Sequence, residues 1–215
     1  MKIGIIGAMD VEIAKFKEIL NLEEKDSILY TKIKDKEIYI SLSGIGKVNS
    51  AANTQKLIDK YNLDYIINTG CAGSLNKSVK VLDVVLSSSV TYHDFTPTRI
   101  RNSQVPDLGY PKADDLLLKL ASQELDKLDI NYHIGVIASG DCFVTDSVMR
   151  DKIFEQDHAL AVDMESGSIG HIARLNNVPY LSVRTISDFA DGIEELEEKA
   201  GHISAEIVKY IIENL

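Results

Sequence analysis

Lys2 to Glu12 reads K-I-G-I-I-G-A-M-D-V-E, and the point at which its pattern changes decides the fold. Lys2 to Gly7 is a short apolar run of strand type, whereas from Asp10 onward Ile13, Phe16 and Leu20 recur at helical spacing. A strand therefore passes into a helix from Asp10 to Leu20, with Asp10 as the capping residue.

The same alternation fills the chain. Ile28 to Ser43 reads as a hairpin pair, Lys47 to Tyr61 as a helix and Asp64 to Thr69 as a strand. Val81 to Tyr92 is a strand region, Ala113 to Lys127 a helix, His133 to Ser139 a strand and Asp146 to Phe154 a helix. Leu160 to Met164 is again a strand, followed by a helix from Ser166 to Leu175, the strand Tyr180 to Ile186 and a last helix ending near Glu213. Strands rich in Val, Ile and Leu, each followed by a helix, imply an α/β fold: a three-layer α/β/α domain with a central mixed, twisted sheet covered on both faces. Residues 1–215 are expected to form one domain, because 215 residues with 45% hydrophobic content suit one sizeable core. The longest expected loop, Asp94 to Pro111, carries three of the four prolines.

Composition narrows the function. Lys and Arg total 23 against 33 Asp and Glu, a formal charge of -10, which argues against nucleic acid and anionic membrane surfaces as partners. The N-terminal apolar stretch is too short and Gly-broken for a secretory signal, and no run reaches membrane-spanning length, so a cytoplasmic location is expected. Two cysteines, Cys71 and Cys142, form no C-x-x-C, and the five histidines show no ligand spacing, so neither a disulfide framework nor a zinc site is suggested.

In sheets of this kind ligands bind beyond the carboxyl ends of the strands. Five segments qualify: G-A-M-D-V-E after the first strand, N-T-G-C-A-G-S after Ile67, S-G-D-C-F-V after Ala138, V-D-M-E at Val162 to Glu165, and S-D-F-A-D after Ile186. Each has a plain structural alternative. Glu12 suits the first turn of any helix, and Asp188 could be a helix cap. Phe143 could be core, and His93 beside Asp94 suggests a structural hydrogen bond. T-G-C-A-G-S and S-G-I-G-K look like Gly-rich turns whose amides approach an anion or polar ligand, but neither is a P-loop or a dinucleotide fingerprint. Glu194 to Lys199 reads as a solvated helix face.

Taken in order, K-I-G-I-I-G-A-M-D-V-E, S-G-I-G-K-V, I-I-N-T-G-C-A-G, Y-H-D, K-A-D, S-G-D-C-F-V, V-D-M-E and V-R-T-I-S-D resemble the 5'-methylthioadenosine/S-adenosylhomocysteine nucleosidases of the purine nucleoside phosphorylase-like superfamily. The resemblance spans nearly the whole chain. It implies hydrolysis of the N-glycosidic bond of an adenine thionucleoside, releasing adenine and a thioribose, with no metal or organic cofactor. Adenine is a poor leaving anion and C1' develops oxocarbenium character, so an acid at the base and an activated water at the sugar are both needed.

By the resemblance, Asp188 is the general acid at adenine N7 with Ser187 orienting it, Glu12 activates the water, and Arg184 lies near the water and the carboxylates. Glu165 holds the ribose hydroxyls, Met164 packs along the sugar, Phe143 stacks on adenine and the Val144 backbone reads the purine edge. Ile45, Cys71, Ala72 and Gly73 complete the substrate wall, while Pro106 and Ile100 line a thioalkyl pocket contributed from the 94–111 loop of a second subunit in a homodimer.

Three departures stand out. Many members have Glu where Asp163 stands and Ser where Cys71 stands, and the His93 to Pro111 loop lacks the usual aromatic and Gly-rich character. The loop leaves futalosine and 5'-deoxyadenosine open as alternative substrates. A phosphorylase on the same fold would need converging cations. Here the first loop has no Arg, Asn68 precedes Thr69, and Glu12 stands where a water-activating base is wanted, which favours hydrolysis. An adenosine-sensing module would not require both Glu12 and Asp188.

Overall fold

The computed structural model describes residues 1–95, 110–191 and 197–215. Strands are β1 (Lys2–Gly7), β2 (Glu23–Lys25), β3 (Ile28–Ile33), β4 (Lys36–Leu42), β5 (Tyr65–Ser74), β6 (Val84–Tyr92), β7 (Tyr132–Ser139), β8 (Ala161–Asp163) and β9 (Tyr180–Asp188). Helices are α1 (Asp10–Ile19), α2 (Lys47–Tyr61), α3 (Asp115–Leu128), α4 (Ser147–Asp157), α5 (Ser166–Leu175) and α6 (Glu197–Asn214). All these strands belong to one sheet, in the order β2-β3-β4-β1-β5-β8-β7-β6-β9.

The sheet is mixed. β1 runs parallel to β4 and β5, β5 parallel to β9, and β7 parallel to β6 and β8; the β2–β3, β3–β4, β5–β8 and β6–β9 pairs are antiparallel. Because β9 pairs with both β6 and β5, the strands β5, β8, β7, β6 and β9 close into a ring. β5 makes this possible by its length. Its Ile66 to Gly73 stretch pairs with β9, and its end, at Gly73 and Ser74, with β8.

Strand alternation sends neighbouring residues to opposite layers. Ile5 and Ile67 pack with Phe16 of α1, Leu117 of α3 and Ile211 of α6, whereas Ile6 and Ile66 pack with Leu57 of α2 and Ile169 of α5. A third cluster joins Ile153 of α4 to Ala138, Val144, Val162 and Ala190 beside the ends of β7, β8 and β9. No helix among the described residues is long and apolar enough to cross a membrane.

Two expectations need correction. T-G-C-A-G-S is not a turn: Thr69 to Ser74 continue β5, because a strand that closes the ring must extend past the point where a simple βα unit would turn. The α1 cap is Met9, with Asp10 inside the first turn, because the Glu12 carboxylate reaches back to the Ala8 and Met9 amides and leaves Asp10 no capping task. Asp114 and Asp146 do cap α3 and α4, each accepting from amides of the first turn.

Candidate active site

A cavity opens at the carboxyl ends of β1, β5, β8 and β9, over the N-termini of α1, α2 and α5. Its lining includes Glu12, Ile45, Cys71, Ala72, Gly73, Phe143, Val144, Met164, Glu165, Ser187 and Asp188. Arg184 lies beneath it, fully buried. Ile100 and Pro106 lie outside the described residues, as does most of the 94–111 loop.

Arg184 organises the floor. Its Nε is 2.9 Å from Asp163 Oδ2, its Nη1 3.2 Å from Glu12 Oε1, and its Nη2 3.3 Å from Glu165 Oε2. Nη1 also donates to the Cys71 carbonyl at 3.2 Å and Nη2 to Asn68 Oδ1 at 2.9 Å. Burial would lower the guanidinium pKa, but Asp163, Glu12 and Glu165 outweigh it and raise it, so the group stays charged.

Each carboxylate reaches this cation from a different element. Glu12 projects from α1 and is held by four donors: the Ala8 and Met9 amides on Oε2, at 2.6 and 3.1 Å, and the Cys71 amide and Arg184 Nη1 on Oε1, at 3.0 and 3.2 Å. The Cys71 thiol adds a weak contact to Oε1 at 3.6 Å. Gly70 is required here. A Cβ on it would stand 2.1 Å from Glu12 Oε1 and 2.4 Å from Arg184 Nη1.

Asp163 ends β8 and belongs to the cavity lining, but its carboxylate is taken up by internal donors. It accepts from the Ser139 and Ser166 hydroxyls and from the Glu165 and Ser166 amides at the start of α5. These bonds tie Asp163 to the first amides of α5 and, through the contact with Nε, to the Arg184 guanidinium. Glu165, at the α5 N-cap, accepts from the Gly46 amide at 2.9 Å as well as from Arg184. Burial drives its pKa up to about 7, with Asp163 and Glu12 adding to the rise and Arg184 and the Gly46 amide opposing it.

Across the cavity, Asp188 ends β9. Its Oδ1 accepts from the Ala190 amide at 2.7 Å and its Oδ2 from the Ser187 hydroxyl at 2.7 Å, so it fixes a turn and caps no described helix. Phe143 is 59% exposed and therefore not core, while Val144 is buried beside it. His93 makes no bond to Asp94, because the Asp94 carboxylate is taken by Lys47 and the Asp141 amide. Glu194, Glu195 and Leu196 lie outside the described residues; Glu198 and Lys199 are exposed.

Sequence reasoning missed Ala8, Met9, Cys142, Val162 and Ala190 in the wall. It also missed the polar support of Asn68, Ser166 and Ser182: Asn68 Oδ1 accepts from the Ser182 hydroxyl and from Arg184 and lies 2.8 Å from Ser166 Oγ. Asn68 and Ser182 face each other across paired strands, a relation visible only once β5 and β9 are known to be neighbours. Among the described residues no cluster of His, Cys, Asp or Glu could hold a metal ion.

A family model described as the phosphorylase superfamily matches residues 2–213. A 5'-methylthioadenosine/S-adenosylhomocysteine nucleosidase of Staphylococcus epidermidis is 37% identical, over 99% of this chain and 100% of that protein. A mutant Helicobacter pylori nucleosidase of the same name, solved with 5'-methylthioadenosine in its active site, superposes with a TM-score of 0.91 at 29% identity, covering 100% of this chain and 99% of that one. The native futalosine hydrolase of Helicobacter pylori has a TM-score of 0.90 at 28% identity, covering 100% and 98%. The chain therefore belongs to the phosphorylase superfamily and, within it, to the 5'-methylthioadenosine/S-adenosylhomocysteine nucleosidase family.

Proposed function

We propose that this protein hydrolyses the N-glycosidic bond of 5'-methylthioadenosine and S-adenosylhomocysteine, giving adenine and the corresponding thioribose. The observation that carries the reading is the sharing of one cavity by Glu12 and Asp188, each on its own rigid element, with Glu165 between the Glu12 floor and the Gly46 amide. Water attacks C1' as the C1'–N9 bond breaks. The bond's electron pair passes to adenine, Asp188 delivers a proton to N7, and Glu12 takes one from the water.

Ser187 suits a helper's part because its hydroxyl has two acceptors, Asp188 Oδ2 at 2.7 Å and the Ala72 carbonyl at 3.5 Å. It can donate to the ionised acid or turn its proton to the carbonyl and accept from the protonated one. Phe143 offers an exposed face to adenine, with Val144 at its edge. Glu165 and Met164 take the ribose, and Ile45 with Cys71, Ala72 and Gly73 close the wall.

Hydrolysis is favoured over phosphorolysis by charge. No described residue lining the cavity is Lys or Arg, and Arg184 is already committed to three carboxylates that would repel phosphate. We also propose a homodimer in which the 94–111 loop, with Ile100 and Pro106, completes the neighbouring site. Ile45 at 50% and Val48 at 77% exposure beside the cavity support a covering partner. The acidic composition and short apolar runs support a cytoplasmic enzyme.

The test is to incubate the purified protein with methylthioadenosine, with and without phosphate, and measure free adenine. Release in both buffers is expected; no release would sink the nucleosidase, and strict phosphate dependence would indicate a phosphorylase. Futalosine and 5'-deoxyadenosine belong in the panel because a futalosine hydrolase shares the fold. Asp188→Asn should lower turnover by about 100-fold or more while ligand still binds.

A further inference from the structure

We propose that Lys47, Asp94 and Asp141 form a latch that positions the purine-facing loop and the sugar-facing carboxylate, making Lys47 a positioning residue for substrate binding. The proposal rests on the nucleosidase reading, which gives these three residues no part in the chemistry. They come from segments far apart in sequence: the start of α2, the end of the β6 segment and the loop after β7.

The geometry is reciprocal. Lys47 Nζ donates to both Asp94 oxygens, at 2.7 and 2.6 Å, and lies 3.7 Å from Asp141 Oδ2. The Asp141 amide donates to Asp94 Oδ2 at 2.9 Å, and the Lys47 amide to Asp141 Oδ1 at 2.8 Å. Burial alone would raise the Asp94 carboxyl pKa, but the Lys47 and Asp141 donors outweigh it and hold it below its ordinary value. Without the ammonium, two carboxylates would face each other with only neutral main-chain donors to hold them.

What the cluster holds is the substrate wall. Asp141 stands two residues before Phe143, on the loop that presents Phe143 and Val144 to the cavity. Gly46, the α2 N-cap immediately before Lys47, donates its amide to Glu165 Oε1. Gly46 has φ +96°, and a Cβ there would stand 3.1 Å from Asp141 Oδ1, so this turn and the Asp141 loop fit closely. Two successive amides at the start of α2 thus receive two carboxylates, Glu165 from the sugar side and Asp141 from the purine side, with the positive end of the helix favouring both. A single exposed ion pair would contribute little. Here the ion pair and three main-chain bonds share residues across the mouth of one cavity, so loss of the ammonium loosens both walls together.

The experiment compares Lys47→Met and Lys47→Arg with the parent enzyme, measuring kcat, KM for methylthioadenosine, and hydrogen exchange of the ligand-free protein. Lys47→Met should raise KM about tenfold with kcat within about threefold, and Lys47→Arg should restore most of the KM. Amides of residues 44–47 and 140–144 should exchange faster in Lys47→Met than in the parent. Unchanged exchange there, or a fall in kcat with KM unmoved, overturns the latch. Should the parent release no adenine, the nucleosidase reading fails, and the exchange comparison still decides the latch. If Lys47→Met does not fold, Asp141→Asn must show the same rise in KM and exchange; unchanged values, or failure of both variants to fold, overturn the proposal in favour of a role in stability.

Discussion

The cavity has a cation among carboxylates at its floor and another at its rim, and the two are built on opposite terms. At the floor, Arg184 faces Glu12, Asp163 and Glu165 and is fully hidden from water. At the rim, Lys47 and Asp94 keep about a quarter of their side-chain surface in solvent, 24% and 26%, and Asp141 keeps 48%. Burial makes the floor expensive to assemble and rigid once assembled, since every donor of the guanidinium must find a partner. Partial exposure makes the rim cheap and adjustable, with a strong point charge on a flexible stem. Under the proposed mechanism, the floor would hold the water and its base in fixed geometry, and the rim would set how the walls meet an incoming nucleoside.

Removing the floor's cation breaks the comparison most severely. Three carboxylates against one guanidinium carry a formal charge of -2 when all are ionised, 1 minus 3, and removing Arg184 takes that to -3. Arg184→Met should cost about 3–5 kcal/mol of stability at neutral pH, read from urea unfolding. The loss should shrink at lower pH, where protonation relieves the uncompensated charge. A loss below about 1 kcal/mol would mean that the floor is not held by its ion pairs.

How far these features could be seen in the sequence follows the same division. The layers were legible, because the apolar run of β1 and the helical spacing in α1 are local properties. So were Glu12, Glu165 and Asp188, each placed just after a strand. The ring was not legible, since nothing in T-G-C-A-G-S says that β5 continues past Gly70 to meet both β8 and β9. Reading that stretch as a turn hid why Gly70 is Gly: it makes room for the Glu12–Arg184 pair. Asp163 was ambiguous for a related reason. Strand alternation puts it on the same side as Glu165, and only the turn into α5 shows that, although both residues line the cavity, one carboxylate is saturated by Ser139, Ser166 and Arg184 while the other accepts from the Gly46 amide and Arg184.

Glu165 supplies the next test, through pH. Its carboxyl has a reference value of 4.5 and is raised to about 7 in the folded protein, first by burial and then by Asp163 and Glu12. Between these values the folded state binds more protons than the unfolded one, so this group's contribution to stability falls as pH rises from 4.5 to 7. Other carboxylates titrate with their own slopes, so the informative quantity is the difference from Glu165→Gln. Relative to that variant, the parent should lose stability steadily across the window and level off above it. Parallel urea midpoints for the two proteins from pH 4.5 to 7 would show that Glu165 stays ionised beside Arg184.

Salt gives the smallest effect and separates floor from rim most cleanly. Raising NaCl from ~0.1 M to ~1 M shortens the Debye length from about 10 Å to about 3 Å, which weakens partly exposed pairs and leaves buried ones almost untouched. The Lys47–Asp94 pair should therefore loosen while Arg184 does not. Methylthioadenosine carries no net charge at neutral pH, so its attraction to the acidic protein contributes nothing to the trend. KM should rise by no more than about twofold, with kcat flat. High salt also strengthens apolar contacts with the thioalkyl group and pulls KM the other way. Lys47→Met isolates the two effects, because it keeps the apolar contacts and lacks the pair. Salt should then lower its KM or leave it unchanged, and a salt-dependent rise of equal size in both proteins would locate the screened interaction somewhere other than the rim.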